Sequence, residues 1–245
     1  MTSYSTFVCS PLLLVATSVI LVCSTFHVGA GAAVAHEENT ASSSVMLAQF
    51  DENDGPVLEW VEKNDPVMGG KSTGDFTVRS DDGVGLFFGE VVDVPFLKAP
   101  GFIQASARAS FPDVSGCGAL KITCRSLTDY QGYKIAFGNK RGPIDCSFYS
   151  TGYKTALDAP TGDEFGEVIV PFDQFSNCNS DGTGLPIRTC EDDPKVCPDE
   201  KTLEDVKMIT VWGEGVAGKV DLEIKTIEAI GCGGDDDGEE EEDSA

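Results

Sequence analysis

Gly69-Gly70-Lys71-Ser72 has the residue types of a phosphate-binding loop. That chemistry needs a further glycine at position 65 and a helix after Ser72, so that backbone N–H groups cradle phosphate oxygens. Asp65 occupies the first of these positions, and Gly74-Asp75-Phe76-Thr77-Val78 reads as a strand. Nucleotide binding therefore fails on both counts. A tight turn fits better: the glycines adopt conformations or approaches that a Cβ forbids, while Asp65 and Ser72 tie loop backbone groups. Asp65, Met68, Gly69, Gly70 and Ser72 are expected to hold the fold, or to meet a partner along the turn's exposed edge.

Catalysis finds little support. His27 and His36 are the only histidines and both lie near the start, so Ser-His-Asp and Cys-His arrangements are excluded from the body of the chain. Paired carboxylates for glycoside hydrolysis stay open, because sequence does not give their separation, but no hydrolase motif accompanies them. Zinc would need clustered Cys and His, and no C-x-x-C pair occurs. Calcium has no D-x-D-x-D-G loop and so no assigned residues. The expectation is a non-enzyme with no cofactor and no assigned metal-ligating residues, with a structural calcium ion left open.

Four aromatics are candidates for a ligand face: Trp60, Phe102, Tyr133 and Trp212. Rings of this kind stack on sugars when polar neighbours fix the orientation. The competing assignment is core packing, and Trp212 shares a strand face with Met208 and Thr210.

Two cysteines, Cys9 and Cys23, fall in the first 35 residues, and seven follow. In a secreted chain these suggest up to three disulfides and one free thiol, with connectivity open. Cys117 and Cys124 cannot pair if they lie along one strand, which would hold them about 23 Å apart. Cys178, Cys190 and Cys197 crowd a stretch, residues 176–201, rich in Asn, Asp, Gly and Pro, where a staple is expected.

Residues 1–35 hold no charged side chain, and Pro11 to Cys23 is apolar ahead of Ala33-Val34-Ala35, so they read as a signal peptide cleaved before His36. The run is short for a membrane span, and no other candidate follows. Net charge is −24, and Asp235 to Asp243 alone carries eight negative charges. Residues 232–245 read as an acidic disordered tail. Nucleic acid, which is bound through Lys and Arg, is excluded as a partner.

The positioning elements read as strands. Leu120, Ile122 and Cys124 alternate with Lys121, Thr123 and Arg125, and Tyr133, Ile135 and Phe137 flank Lys134. Val220, Leu222 and Ile224 shift phase at Thr226 to Ile227 and Ala229, as a β-bulge would produce. A helical turn is expected only at Thr202-Leu203-Glu204-Asp205-Val206. The pattern predicts an all-β sandwich in one domain over residues 48–231, after a flexible lead-in at 36–47 and with 176–201 as an insertion.

The run from Trp60 through Asp65-Pro66-Val67-Met68-Gly69-Gly70-Lys71-Ser72 to Phe76 continues in Gly85-Leu86-Phe87-Phe88-Gly89, Gly101-Phe102-Ile103-Gln104, Val168-Ile169-Val170-Pro171-Phe172 and Val220 to Ile230. In this order the chain resembles, over about residues 48 to 231, the domain of the thirty-kilodalton complex I intermediate-associated protein family. The resemblance implies a jelly-roll β-sandwich like galactose-binding domains. It also implies a non-catalytic, chaperone-like domain that binds a protein client, an assembly intermediate. The alternative, from fold analogy and the export signal, is a secreted carbohydrate-binding module. The presequence points to the secretory pathway or the extracellular space; the resemblance points to the mitochondrion, or to a plastid reached through the secretory route.

Overall fold

The computed structural model describes residues 43–65, 69–146 and 151–233. The expected signal peptide, Met68 and the acidic run from Asp235 lie outside the described residues.

Alternating side chains build two antiparallel sheets that pack face to face. The first is ordered β11(Gly166–Pro171), β8(Ala119–Ser126), β13(Gly218–Cys232), β4(Val84–Val91), β3(Thr73–Arg79), and β1(Ser43–Gln49) also pairs with β13. The second is ordered β10(Thr151–Ala156), β9(Tyr133–Arg141), β12(Met208–Glu214), β7(Phe102–Arg108), β2(Trp60–Asn64). A short hairpin, β5(Asp93–Val94) and β6(Ala99–Pro100), stands apart from both. The architecture is a jelly-roll β-sandwich.

One long strand serves two neighbours because of the expected bulge. β13 pairs β4 through Gly218–Ile224 and β1 through Thr226–Cys232, with β8 along its other edge and a register shift between Ile224 and Thr226. The extra residue turns Ile227 and Ala229 back into the core, where both are fully buried. β1 begins at Ser43, inside the stretch expected to be a lead-in, since Leu47 and Ala48 bury against the sheet. The helical turn is α1(Glu200–Glu204), two residues earlier than its sequence suggested. Asp199 caps it by accepting the Thr202 N–H, which fixes the start.

Close packing between the sheets depends on glycine at specific points. A Cβ on Gly74 of β3 would lie 2.8 Å from Ile103 of β7, and one on Gly85 of β4 would lie 2.5 Å from Phe50 and Phe76. Burial of the apolar faces, at about 25 cal/mol per Å², is the main driving force for this arrangement.

Three disulfides add covalent ties: Cys117–Cys232, Cys146–Cys178 and Cys190–Cys197. Cys178 thus reaches outside the insertion, whereas Cys190 and Cys197 staple within it. Cys232 belongs to the sandwich as the last residue of β13. Cys124 is free and buried, and burial pushes its thiol up to about 12. Among the described residues no helix is long and apolar enough to cross a membrane.

Candidate functional groove

The two outward faces of the sandwich differ. On the first sheet Glu223 is almost wholly buried between Arg79 and Arg125, and Arg125 and Lys225 both sit 4.4 Å over the Phe165 ring. That face is closed by its own ion pairs. The second sheet instead carries an open groove of about 440 Å³.

Register explains the groove's floor. Lys63 of β2 faces Gln104 of β7, Gln104 faces Trp212 of β12, and Trp212 faces Lys134 of β9. Because neighbouring strands stand about 4.8 Å apart, this row sets one aromatic ring, Trp212, among three polar side chains at near-regular spacing across the sheet. Phe102 and Trp212 have ring centroids 5.6 Å apart and form the apolar part of the floor. Leu97 and Pro100 of the β5–β6 hairpin make one wall, and Ser180, Asp181 and Gly182 of the insertion make the other. A second hollow of about 450 Å³ shares Lys63 and Gln104 and extends towards Arg108.

At one end of the floor two charges are buried together. Lys154 Nζ of β10 donates to Glu214 Oε1 of β12 at 2.7 Å and lies 3.8 Å over the Trp212 ring. The insertion closes over them: Ser176 bridges the Lys154 backbone, and a Cβ on Gly184 would lie 1.9 Å from Glu214 Oε1. Lys134 is also buried, and burial holds its amine below the usual lysine range. The Trp212 indole N–H is buried without a partner.

The glycine turn supports the groove from beneath. Asp65, 1% exposed, accepts the Ser72 N–H on Oδ1 at 2.9 Å and the Ser72 hydroxyl on Oδ2 at 2.8 Å. Ser72 Oγ in turn accepts the Val92 N–H at 3.0 Å, and Gly70 N–H donates to the Asp65 carbonyl. Gly69 adopts φ +79°, and a Cβ on Gly101 would lie 1.6 Å from Asp65 Oδ2. The turn therefore clamps β2 and β3 to the junction of β4 and β5, and Gly69 packs beside Phe96 at the hairpin tip.

The four candidate aromatics divide. Trp60 stacks on Phe76 at 4.3 Å inside the core, and Tyr133 is 2% exposed with its hydroxyl bonded to Ser126, so neither belongs to a ligand face. Phe102 and Trp212 are half-buried and line the groove together. Sequence reasoning missed Lys154, Glu214, Lys134 and the exposed hairpin residues Phe96 and Leu97. Among the described residues no three His, Cys, Asp or Glu side chains gather as a metal site.

A family model for complex I intermediate-associated protein 30 (CIA30) matches residues 48–186, which is more than half of the chain. The chain belongs to the CIA30 family. Its CIA30 match takes in the turn, the hairpin, β7 and β10, while Trp212 and Glu214 lie beyond it. No curated protein sequence matches. In fold the CIA30 chain is similar to a family 11 carbohydrate-binding module from Clostridium thermocellum, solved with a β-1,3-1,4-mixed-linked tetrasaccharide, at 15% identity and TM-score 0.50. That alignment covers 77% of this chain and 96% of the module. It is also similar to the family 11 module of the C. thermocellum cellulosomal cellulase Lic26A-Cel5E, at 15% identity and TM-score 0.49, over 78% and 96%.

Proposed function

We propose that this CIA30 domain is a non-catalytic binding module of the assembly-factor type, holding a protein client in the groove on the second sheet. The observation that carries the reading is the hairpin tip. Phe96 and Leu97 are 68% and 54% exposed at the groove's rim, on a chain of net charge −24. Exposed apolar side chains beside a preformed groove suit an apolar segment of a partner, while the surrounding charge disfavours indiscriminate association. Family membership supports the same class. The three disulfides are compatible with an oxidising compartment, and that compatibility supports looking for the client in the secretory pathway or outside the cell. The test is co-purification of the full chain against the Phe96→Ser, Leu97→Ser double variant, quantified by mass spectrometry. Loss of one reproducible set of proteins supports the reading; an unchanged set opposes it.

A second reading has its own observation. Phe102 and Trp212, flanked by Lys63 and Gln104, offer ring faces beside groups that donate to and accept from hydroxyls, the composition of a glycan site. Affinity electrophoresis in soluble mixed-linked β-glucan, with Trp212→Ala as control, tests it: retardation lost in the variant would favour a carbohydrate-binding module.

A further inference from the structure

The three disulfides differ in what surrounds them. Cys117–Cys232 is bracketed by backbone hydrogen bonds, Gly118 N–H to the Ile230 carbonyl at 2.9 Å and Gly233 N–H to the Gly116 carbonyl at 3.0 Å. Those bonds hold the two cysteines side by side even when reduced, so the bond re-forms readily. Cys146–Cys178 is sealed, with Cys146 9% and Cys178 0% exposed, and exchange needs access for an attacking thiolate. Cys190–Cys197 has neither protection. Both cysteines are half-buried, and among the described residues no backbone hydrogen bond joins the neighbours of one to the neighbours of the other.

The loop that this bond closes covers the sealed one. Val196, 0% exposed, packs on Cys146 and Cys178, and its carbonyl accepts the Asn177 N–H at 3.0 Å. Asp193 holds Arg188 at 3.2 Å, and Arg188 also pairs with Asp145 and donates to Cys146 Sγ at 3.1 Å. Arg188 stands at the base of the groove wall. There the Cys178 carbonyl accepts the Ile187 N–H at 2.7 Å and the Arg188 N–H at 3.4 Å, which closes the loop carrying Ser180, Asp181 and Gly182.

We propose that Cys190–Cys197 is a thiol-exchange site for a dithiol reductant, and that opening it loosens the groove wall. One thiolate of the reductant attacks a sulfur of the pair, and the other cysteine leaves as a thiolate and takes a proton. The reductant's second thiol then displaces the cysteine first attacked. The reductant departs as its own disulfide, and two electrons and two protons remain on Cys190 and Cys197. The two cysteines are only 7 residues apart, against 115 for Cys117–Cys232, so the bond adds little to global stability and the sandwich stays folded when it opens. What is lost is the cover: Val196 is released from Cys146–Cys178, and Asp193 from Arg188. The exchange is independent of what the groove binds, while its consequence for binding rests on the groove being the site.

The experiment equilibrates the full chain in dithiothreitol buffers of rising reduced-to-oxidised ratio, quenches with acid, and maps free thiols by alkylation and mass spectrometry. Cys190 and Cys197 should become free at a ratio about tenfold or more below that for Cys146 and Cys178, with Cys117–Cys232 intact throughout that interval. Hydrogen exchange at that ratio should accelerate in residues 179–186 and leave β8 and β13 protected. The Cys190→Ala, Cys197→Ala double variant should show the same faster exchange without reductant, and its Cys146–Cys178 bond should open at a lower ratio than in the natural chain. Release of all six cysteines at one ratio would overturn the proposal. So would early release of Cys190 and Cys197 with exchange at 179–186 unchanged in the reduced chain. A groove that binds neither client nor glycan would leave all of these outcomes as they are.

Discussion

The Ser72 hydroxyl donates to Asp65 Oδ2 at 2.8 Å, and its oxygen, Ser72 Oγ, accepts the Val92 N–H at 3.0 Å. Three loop ends thus meet on one buried hydroxyl. Ser72→Ala leaves both Asp65 and the Val92 N–H short of a partner and should cost about 1–3 kcal/mol. Gly101→Ala should cost more, since its methyl would fall 1.6 Å from Asp65 Oδ2. Urea unfolding checks both; a Ser72→Ala change below about 0.5 kcal/mol would mean the clasp is open in solution.

The buried pair gives a sharper test. Lys154 and Glu214 side chains are 3% and 8% exposed, so solvent screens their interaction little. Lys154→Met or Glu214→Gln alone strands a charge and should cost about 3–5 kcal/mol, whereas Lys154→Met combined with Glu214→Leu should recover most of the loss. Equal destabilisation in all three variants would show that the pair does not act as a unit.

Acid stability has a traceable contribution at the start of α1. The Thr202 hydroxyl, then Lys140, hold the Asp199 carboxyl down at about 2, against 3.8 for an ordinary aspartate. A value lowered in the folded state stabilises the fold above the unfolded value and loses that stabilisation as pH falls from 3.8 towards 2. Asp199 is half-exposed, so the effect is small and weakens with salt. Asp199→Asn should remove this part of the acid dependence of Tm between those pH values; an identical profile would assign it to other carboxylates.

Cys124, pushed up to about 12 and buried in β8, should resist alkylation in the folded chain near pH 8 and react only on unfolding. Peptide mapping after iodoacetamide treatment reads this directly, and native labelling at Cys124 would contradict the packing of the β8 face.

Much of the sandwich was legible because strand faces repeat every second residue. Leu120, Ile122 and Cys124 are all buried, and the phase shift at Thr226 marks a real bulge that lets one strand serve two partners. The site was far less legible. Lys154 and Glu214 are 60 residues apart and meet only because β10, β9 and β12 are neighbours. Trp212 sits between apolar Val211 and Gly213 and Trp60 between Glu59 and Val61, so a strand period does not by itself tell which of the two faces outward. Phe96 and Leu97 read as ordinary apolar residues until the hairpin lifts them to the rim.

The most direct test of the groove as a client site is photocross-linking from position 97, with a benzophenone side chain replacing Leu97 in the full chain expressed in its native cells. The account predicts one dominant protein adduct, reduced when Phe96→Asp is added. No protein adduct, together with glucan retention that depends on Trp212, would contradict it and leave the groove to carbohydrate.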